Sequence, residues 1–415
     1  MSQVFDKIAN IDSKTISFTM SPVPVEYANV LRRAIQTEVD VLGFRADMTE
    51  DGTTSDVVVL KNNTPLSNEM LADRIGLLPI IMPREGEWIK ENVKFVLNKK
   101  NETDSNVLVS ASDFVVTEIV PTSEEPVAVP NTKFFHPDPV TGDTCLIALL
   151  KPGEEIHLEA YASMGKGREH ARFNPTCVCA YSYTRDQDAS RIQTLWQKWL
   201  REQKKRDPQE VEKNLEDKGK LEREFRSLEI YRCFLVDAEG EPYSYDFNVE
   251  SVGSMSVHKI VVLALNAVSK MCVKYASIDT GDLPGNIDIR PVDSKMRGFD
   301  VWFSEEDHTL GSLLQTWLDN NKMGQDKLSY VGYKVPHPLR HEMVLRIGVE
   351  DGNQLSARRL IAMAAKACAD MYAGWATQWQ SNGLITPNTT SAPMKVWEAH
   401  AAAKAPKKTR TVAVK

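Results

Sequence analysis

Cys177 and Cys179 form the nearest approach in this chain to a metal-thiolate pair, with Cys145 and His170 as possible further ligands. Zinc sites built from cysteine pairs usually use CxxC spacing, whereas cysteines at i and i+2 on a strand share one face, which suits burial as small apolar side chains. They remain the sole metal candidates, with burial the favoured role. His337 and His341 have the four-residue spacing of a helical metal pair, but Pro336 and Pro338 force that stretch to be extended. Gly165 and Gly167 in SMGKGREH invite a phosphate-loop reading. A true loop of that kind needs GxxxxGK and then Ser or Thr before a helix, and this segment runs on into HARFNP. No aspartate triplet of the polymerase magnesium type occurs, and no nucleophile stands beside a base. The expectation is a protein without a catalytic residue or cofactor, acting through its surfaces.

The bulk composition agrees with a globular protein of several domains. The chain has 415 residues, 42% hydrophobic and 26% charged. Its formal net charge of −7 excludes a general nucleic-acid binder. The longest apolar stretch, IVVLALNAV from Ile260, is far short of the ~20 residues that span a bilayer, so no membrane partner is expected. The opening MSQVFDKIAN lacks the regions of a signal peptide, and six cysteines are too few for a disulfide framework in a chain this long. A reducing, intracellular setting is expected.

The elements that must position such surfaces can be read from periodicity. Ile11–Met20 alternates as a strand (ISFTM). Leu31, Ala34, Ile35 and Val39 make a helical stripe, with Glu38 standing where another apolar residue would fit. From Thr54 to Tyr183 the pattern is mainly β, with one helix opening at Ser67, a good N-cap. Thr184–Ser227 is densely charged and reads as a solvated helical excursion broken at Pro208. Val257–Tyr275 is apolar on more than one face and reads as a buried helix. Residues 279–291 read as a linker. A strand (FDVWF), a helix capped by Asp307, a hairpin (YVGYKV, MVLRIGV) and a helix over Leu355–Trp375 follow. The end is a disordered basic tail carrying Lys404, Lys407, Lys408, Arg410 and Lys415.

Two pairs of segments look like one unit written twice. NVLRRAIQTEVD (29–40) matches HTLGSLLQTWLD (308–319) at Leu31/Leu310, Gln36/Gln315, Thr37/Thr316 and Asp40/Asp319. SVHKIVVLALNAVSKM from Ser256 matches SARRLIAMAAKACADM from Ser356 in the same order. Leu310, Leu313, Leu314, Trp317 and Leu318 follow the i, i+3, i+4, i+7, i+8 rule of one apolar face. That face serves either the core of one small domain or a junction with the matching face of the first helix. The repetition favours a pseudo-two-fold pair inside one polypeptide.

DHTLGSLLQ followed by YVGYKVPHPLRH resembles the signature of the eleventh subunit of eukaryotic RNA polymerase II and the archaeal L subunit. NVLRRAIQTEV, NEMLADRIGLLPI, LKPGEEIHLEAYASMGKGREHARFNP and FNVESVGSM resemble the third subunit, archaeal D and the bacterial α N-terminal domain. Both partners in one chain resembles the arrangement in some large cytoplasmic DNA viruses, which would imply a virion and host-cytoplasm location; otherwise nucleus or cytoplasm is implied.

The resemblance implies an α+β fold. Two α-subunit-like dimerisation modules, residues 1–50 with 228–285 and residues 298–382, would form an intramolecular pseudo-two-fold pair around four central helices. An inserted mainly-β domain (51–183), the charged excursion (184–227), a linker (286–297) and the tail (383–415) complete the plan. The pseudo-dimer core would comprise Leu31, Ala34, Ile35 and Val39; Ile260, Leu263, Ala264 and Ala267; the five apolar residues of the 308–319 helix; and Leu360, Met363, Ala364 and Ala367. Arg32 and Arg33 alone read as a solvated helix face, but the resemblance implies that they dock a large subunit, together with Arg74, His170, Arg172, Lys334 and His337. It implies as partners the two largest polymerase subunits and a small zinc-binding polypeptide like the tenth or twelfth subunit, with DNA met only through the complex. The implied role is non-catalytic assembly of a DNA-directed RNA polymerase; the alternative is an independent scaffold or nucleic-acid adaptor using the charged insert and tail. Two departures stand out. Residues 81–111 lack the cysteine cluster of the eukaryotic third subunit, and Ser312 replaces the Asn usual after HTLG.

Overall fold

The computed structural model describes residues 3–47, 55–82, 88–119, 126–138, 141–292 and 296–382. The basic tail expected to be disordered lies outside them.

The first module opens with an antiparallel pair, β1 (Phe5–Asn10) and β2 (Thr15–Met20). Ile16, Phe18 and Met20 alternate onto the buried face. Helix α1 (Val25–Thr37) starts after Pro24 without a side-chain cap and buries Val30, Leu31, Ala34 and Ile35. Strand β3 (Asp40–Gly43) leads away from it.

The insert contains β4 (Val57–Asn62), α2 (Asn68–Gly76), β5 (Val93–Lys100), β6 (Val107–Ser110), β7 (Val115–Glu118), β8 (Val127–Val129), β9 (Leu146–Leu150), β10 (Glu155–Ala160) and β11 (Ser163–Lys166). Ser67 caps α2, its side chain accepting from Met70 N at 3.3 Å. Five strands form an antiparallel sheet in the order β4-β10-β5-β7-β8, β6 pairs with β9, and β11 returns to pair with β3. A separate core rich in Phe44, Phe95, Phe114, Phe134 and Phe135 holds this region. Strand β10, EIHLEA, second in that order, is one that the sequence reading does not include, although Ile156, Leu158 and Ala160 alternate inward.

Next come β12 (Thr176–Tyr183), α3 (Ala189–Glu202), α4 (Pro208–Lys213), α5 (Leu215–Ser227), β13 (Tyr245–Ser251) and α6 (Val257–Val273). Here the expected boundary moves. Strand β12, assigned to the insert, is the edge of the first module's sheet, ordered β1-β2-β13-β12. The charged excursion is also more than a solvated face. Trp196, Trp199, Leu200, Val211 and Phe225 form a small core of their own, with Trp199 and Phe225 centroids 5.6 Å apart. The charges lie outside it, so the density of Lys and Glu masked an ordinary i, i+3, i+4 stripe on α3.

The second module runs β14 (Ile287–Pro291), β15 (Gly298–Ser304), α7 (His308–Lys322), β16 (Leu328–Lys334), β17 (Glu342–Val349) and α8 (Gln354–Asn382). Its sheet order is β14-β15-β17-β16. The expected linker over 279–291 and 286–297 is therefore shorter. Ile287–Pro291 pairs with Phe299–Phe303 as an edge strand, where proline needs no ladder donor.

Four helices join the modules. Helix α1 packs on α6 and α7, and α8 packs on α6 and α7. One continuous apolar core covers both sheets' inner faces and all four helices. Helix α8 runs past Trp375 and reaches the first module: the Trp379 ring lies 5.0 Å from Phe5 and 4.8 Å from Phe18, and its Nε1 donates to His258 O at 3.1 Å. Tyr372 Oη donates to Tyr27 O at 2.9 Å.

Leu31, Ala34, Ile35, Val39, Ile260, Ala264, Leu310, Leu313, Leu314, Leu318, Leu360 and Ala364 are buried in this core. Leu263, Ala267, Trp317 and Ala367 are half-buried. Met363 corrects the expected core: it is 39% exposed and faces a shallow groove beside Trp317. Apolarity on several faces of α8 exceeds what its neighbours cover, and residue type alone does not say which face is left over.

Candidate functional site

The polar centre of the molecule lies where the modules meet, at the C-terminal end of α1 and the N-terminal end of α7. Asp307 N-caps α7, its Oδ1 accepting from Thr309 N at 2.7 Å. Its other oxygen accepts from Arg33 Nη2 at 2.9 Å, while Arg33 Nε donates to Thr309 Oγ1 at 2.9 Å. Arg168, in the loop after β11, adds a second cation. Its Nη2 lies 2.7 Å from Glu38 Oε1 and 3.6 Å from Asp307 Oδ2, and its Nη1 donates to Glu305 O at 2.9 Å. Glu38, the acid on an otherwise apolar stripe, is thus buried because a guanidinium meets it.

Electrostatics follow from this packing. Burial alone would raise the Asp307 carboxyl, but its hydrogen bonds from Thr309 and the cations Arg168 and Arg33 outweigh that and hold it below the ordinary value. Burial opposes the charge of Arg168, yet Glu38, Asp307 and Glu306 leave its pKa raised. Glu306 is the reverse case: burial dominates and lifts its carboxyl, against the Tyr275 hydroxyl that donates to Oε1 at 2.8 Å.

Glycines let the pieces close. A Cβ on Gly167 would stand 1.9 Å from Gln36 O, so only glycine brings the Arg168 loop against the end of α1. A Cβ on Gly311 would stand 2.4 Å from Tyr333 Cδ2, so the tyrosine ring of β16 lies directly on α7. Gln315 Oε1 accepts from Tyr333 N at 3.0 Å. The SMGKGREH glycines thus serve packing; Gly165 sits under the Phe173 ring.

The residues expected to dock large subunits differ in exposure and in partners. Arg33 is committed to Asp307 and Thr309 inside the molecule, which corrects its expected place on a free polar face. Arg172 is also corrected: its side chain is 5% exposed and donates from Nη1 to Phe44 O at 3.0 Å. The His170 ring serves it, with Nδ1 accepting from Arg172 Nε at 3.1 Å. Arg32 donates to Asn29 Oδ1 at 3.0 Å and Gln36 Oε1 at 2.9 Å beside an open cleft. Arg74 is exposed, with Nε donating to Ile147 O at 2.7 Å. Lys334 and His337 are exposed at the tip of the β16–β17 hairpin, where His337 Nδ1 accepts from Leu339 N at 3.1 Å.

Cys177 and Cys179 also separate. Cys179 is buried under α1 with Sγ 3.6 Å from Arg32 O, and burial pushes its thiol up to about 12. Cys177 is exposed beside a bulge, with Sγ 3.5 Å from Glu250 O. Among the described residues no three His, Cys, Asp or Glu side chains converge as metal ligands.

Reasoning from sequence missed Arg168 as a functional residue and took Asp307 only as a cap. The available signal was Glu38, since an acid at a core-periodic position calls for a buried cation.

Residues 299–375 match the family described as the RNA polymerase Rpb3/Rpb11 dimerisation domain. The chain is 27% identical over 276 residues to the DNA-directed RNA polymerase subunit Rpo3 of Pyrococcus horikoshii, covering 65% of this chain and 95% of that protein. It is 32% identical over 182 residues to Rpo3 of Methanothermobacter thermautotrophicus, covering 40% of this chain and 56% of that protein. With the RNA polymerase II subunit rpb3 of Dictyostelium discoideum it shares 27% over 195 residues, 43% of this chain and 57% of that protein. The last two alignments span little more than half of those relatives' own length. By these relationships the chain is similar to the D- and L-type subunits of RNA polymerase.

Proposed function

We propose that this chain is a non-catalytic assembly platform of a DNA-directed RNA polymerase, in which modules equivalent to two separate partner subunits are fused as an intramolecular pseudo-two-fold pair. The observation that carries this reading is the continuous core through α1, α6, α7 and α8, with α8 of the second module anchored on β1 and β2 of the first through Trp379. Fusion makes pairing of the modules intramolecular, at a high effective concentration. The rigid helical centre then presents different surfaces to the two largest polymerase subunits. Arg32, Arg74, Lys334 and His337, exposed or half-exposed, are the docking residues retained in this proposal. A small zinc-binding subunit is the third proposed partner, and DNA is met only through the complex. Viral origin, with virion and host-cytoplasm location, belongs to the same proposal. Among the described residues no helix is long and apolar enough to cross a membrane.

Affinity purification of the tagged full chain from its native setting, with identification of the co-purifying chains, tests the reading. Recovery of two large polymerase subunits supports it. A free pool that binds nucleic acid in a salt-dependent way, lost on deleting residues 404–415, would instead establish the adaptor alternative.

A further inference from the structure

The sheet of the first module ends in an open edge. Strand β12 is last in the order β1-β2-β13-β12 and pairs only with β13 among the described residues. Just past its end the chain gains another neighbour: Leu235 N donates to Thr184 O and Asp186 N to Cys233 O, both at 3.0 Å. Along Cys179–Tyr183 the outward main-chain groups of Cys179, Tyr181 and Tyr183 face no further strand among the described residues. That stretch lies in a cleft of about 1020 Å³ whose walls come from both sides of the strand. Tyr181 and Tyr183 stand on the helix-facing side, packed on Tyr245, with ring centroids 5.4 and 5.7 Å from it. Asp246 and Ser182 lie on the other side.

The charge of the cleft selects its occupant. Lys7, Arg32 and Arg185 line it, against one carboxylate, Asp246. Asp246 Oδ1 accepts from the Thr19 and Thr184 hydroxyls at 2.7 and 3.0 Å. None of the three cations meets a carboxylate among the described residues. Arg32 donates to neutral amide oxygens, and Arg185 stacks 4.0 Å over the exposed Tyr231 ring.

We infer that the β12 edge is a docking slot for an acidic, extended polypeptide segment of a partner protein. That segment adds as a fifth strand beside β12. Main-chain hydrogen bonds to the free edge give the affinity, and side chains of the segment pack on Tyr181 and Tyr183 and place carboxylates against Lys7, Arg32 and Arg185. The basic, tyrosine-lined cleft would also suit a single-stranded nucleic acid. A backbone edge as its floor and walls on both strand faces favour a peptide, because base stacking needs open aromatic faces and the Tyr181 ring is packed on Phe247 at 5.3 Å.

The test uses the purified full chain and no polymerase, so its failure is distinct from failure of the assembly proposal. Peptides of about twelve residues are selected on it from a random library, and a single-stranded oligouridylate of similar length is titrated separately. The expected result is selected sequences that combine apolar residues with Asp or Glu and lack Pro. They slow amide exchange at Cys179–Tyr183, and they weaken about tenfold or more on the Lys7→Glu/Arg185→Glu variant. Melting of that variant reports its folding; should it unfold, Tyr183→Pro, which removes one outward amide of the edge, replaces it. Absence of any selected binder, protection elsewhere in the chain, undiminished binding to the variant, or oligouridylate protecting Cys179–Tyr183 where no peptide does would overturn the inference.

Discussion

Arg33 on α1 and Asp307 at the N-cap of α7 meet at 2.9 Å although 274 residues separate them in the chain. The helices on which they sit already share an apolar face. The polar pair therefore adds register rather than bulk stability: it fixes which turn of α1 stands against the start of α7. Both side chains are about a third exposed, so the pair itself is worth only about 0.5–1 kcal/mol.

Arg33→Glu should do more than delete that pair. It places a third carboxylate near Asp307 and Glu38 and removes the donor to Thr309. A loss of about 2 kcal/mol is expected, larger than for Arg33→Ala, with partial recovery in the Arg33→Glu/Asp307→Arg double variant. Urea unfolding of the four proteins measures it. Equal losses for Arg33→Glu and Arg33→Ala would show that the ion cluster is not an electrostatic unit.

Leu314 is fully buried between the modules. Leu314→Asp should cost about 4 kcal/mol or more, because a charge enters an apolar core. Loss of the cooperative melting transition and of polymerase co-purification is the expected outcome. Normal recovery of large subunits by that variant would contradict the shared core.

The two neighbouring acids predict opposite pH behaviour. The Asp307 carboxyl is depressed in the fold, so its contribution is present above the ordinary value of 3.8 and lost as pH falls through the folded value. The Glu306 carboxyl is raised, so its contribution is full below the ordinary value of 4.5 and lost as pH rises through the folded value. Glu306→Gln should therefore flatten the stability profile above the ordinary carboxylate range, and Asp307→Asn should flatten it on the acid side. Urea midpoints across acid and neutral pH separate the two; identical profiles for wild type and Glu306→Gln would refute the assignment.

Gly167→Ala is expected to destabilise by about 2 kcal/mol or more, since its Cβ meets backbone that cannot turn away. The loop carrying Arg168 must then lift from α1. Amide exchange at Arg168, whose N–H donates to Thr37 O at 3.2 Å, should accelerate in the variant. Unchanged exchange there would mean that the loop accommodates a side chain.

Trp199→Ala should act locally. It removes one of the two tryptophans of the small α3–α5 core, costing about 3–5 kcal/mol there. Loss of α3–α5 helicity with an intact main transition is expected. A matching fall in the main melting temperature would tie that core to the modules.

Periodicity within a segment is a local property, and the sequence by itself determined what depends on it. Ile16, Phe18 and Met20 announce β2 by alternation, and Leu310, Leu313, Leu314 and Leu318 announce α7. Ser67 and Asp307 mark helix starts because a side-chain oxygen there satisfies free amides two or three residues on. The motif order was enough to suggest the polymerase relationship that the comparisons bear out. Tertiary structure decided which elements share a sheet and which faces find partners. Strand β12 has the same composition whether it belongs to the insert or to the first sheet; pairing with β13 places it. Met363 and Leu360 differ little as residues, yet one is exposed and the other buried, because α7 covers only part of α8. Arg33 reads as solvated on its own helix and becomes a junction residue only when Asp307 arrives from the other module. Hydrogen bonds and burial across such sequence distances depend on the meeting of two surfaces, and no local pattern carries that information.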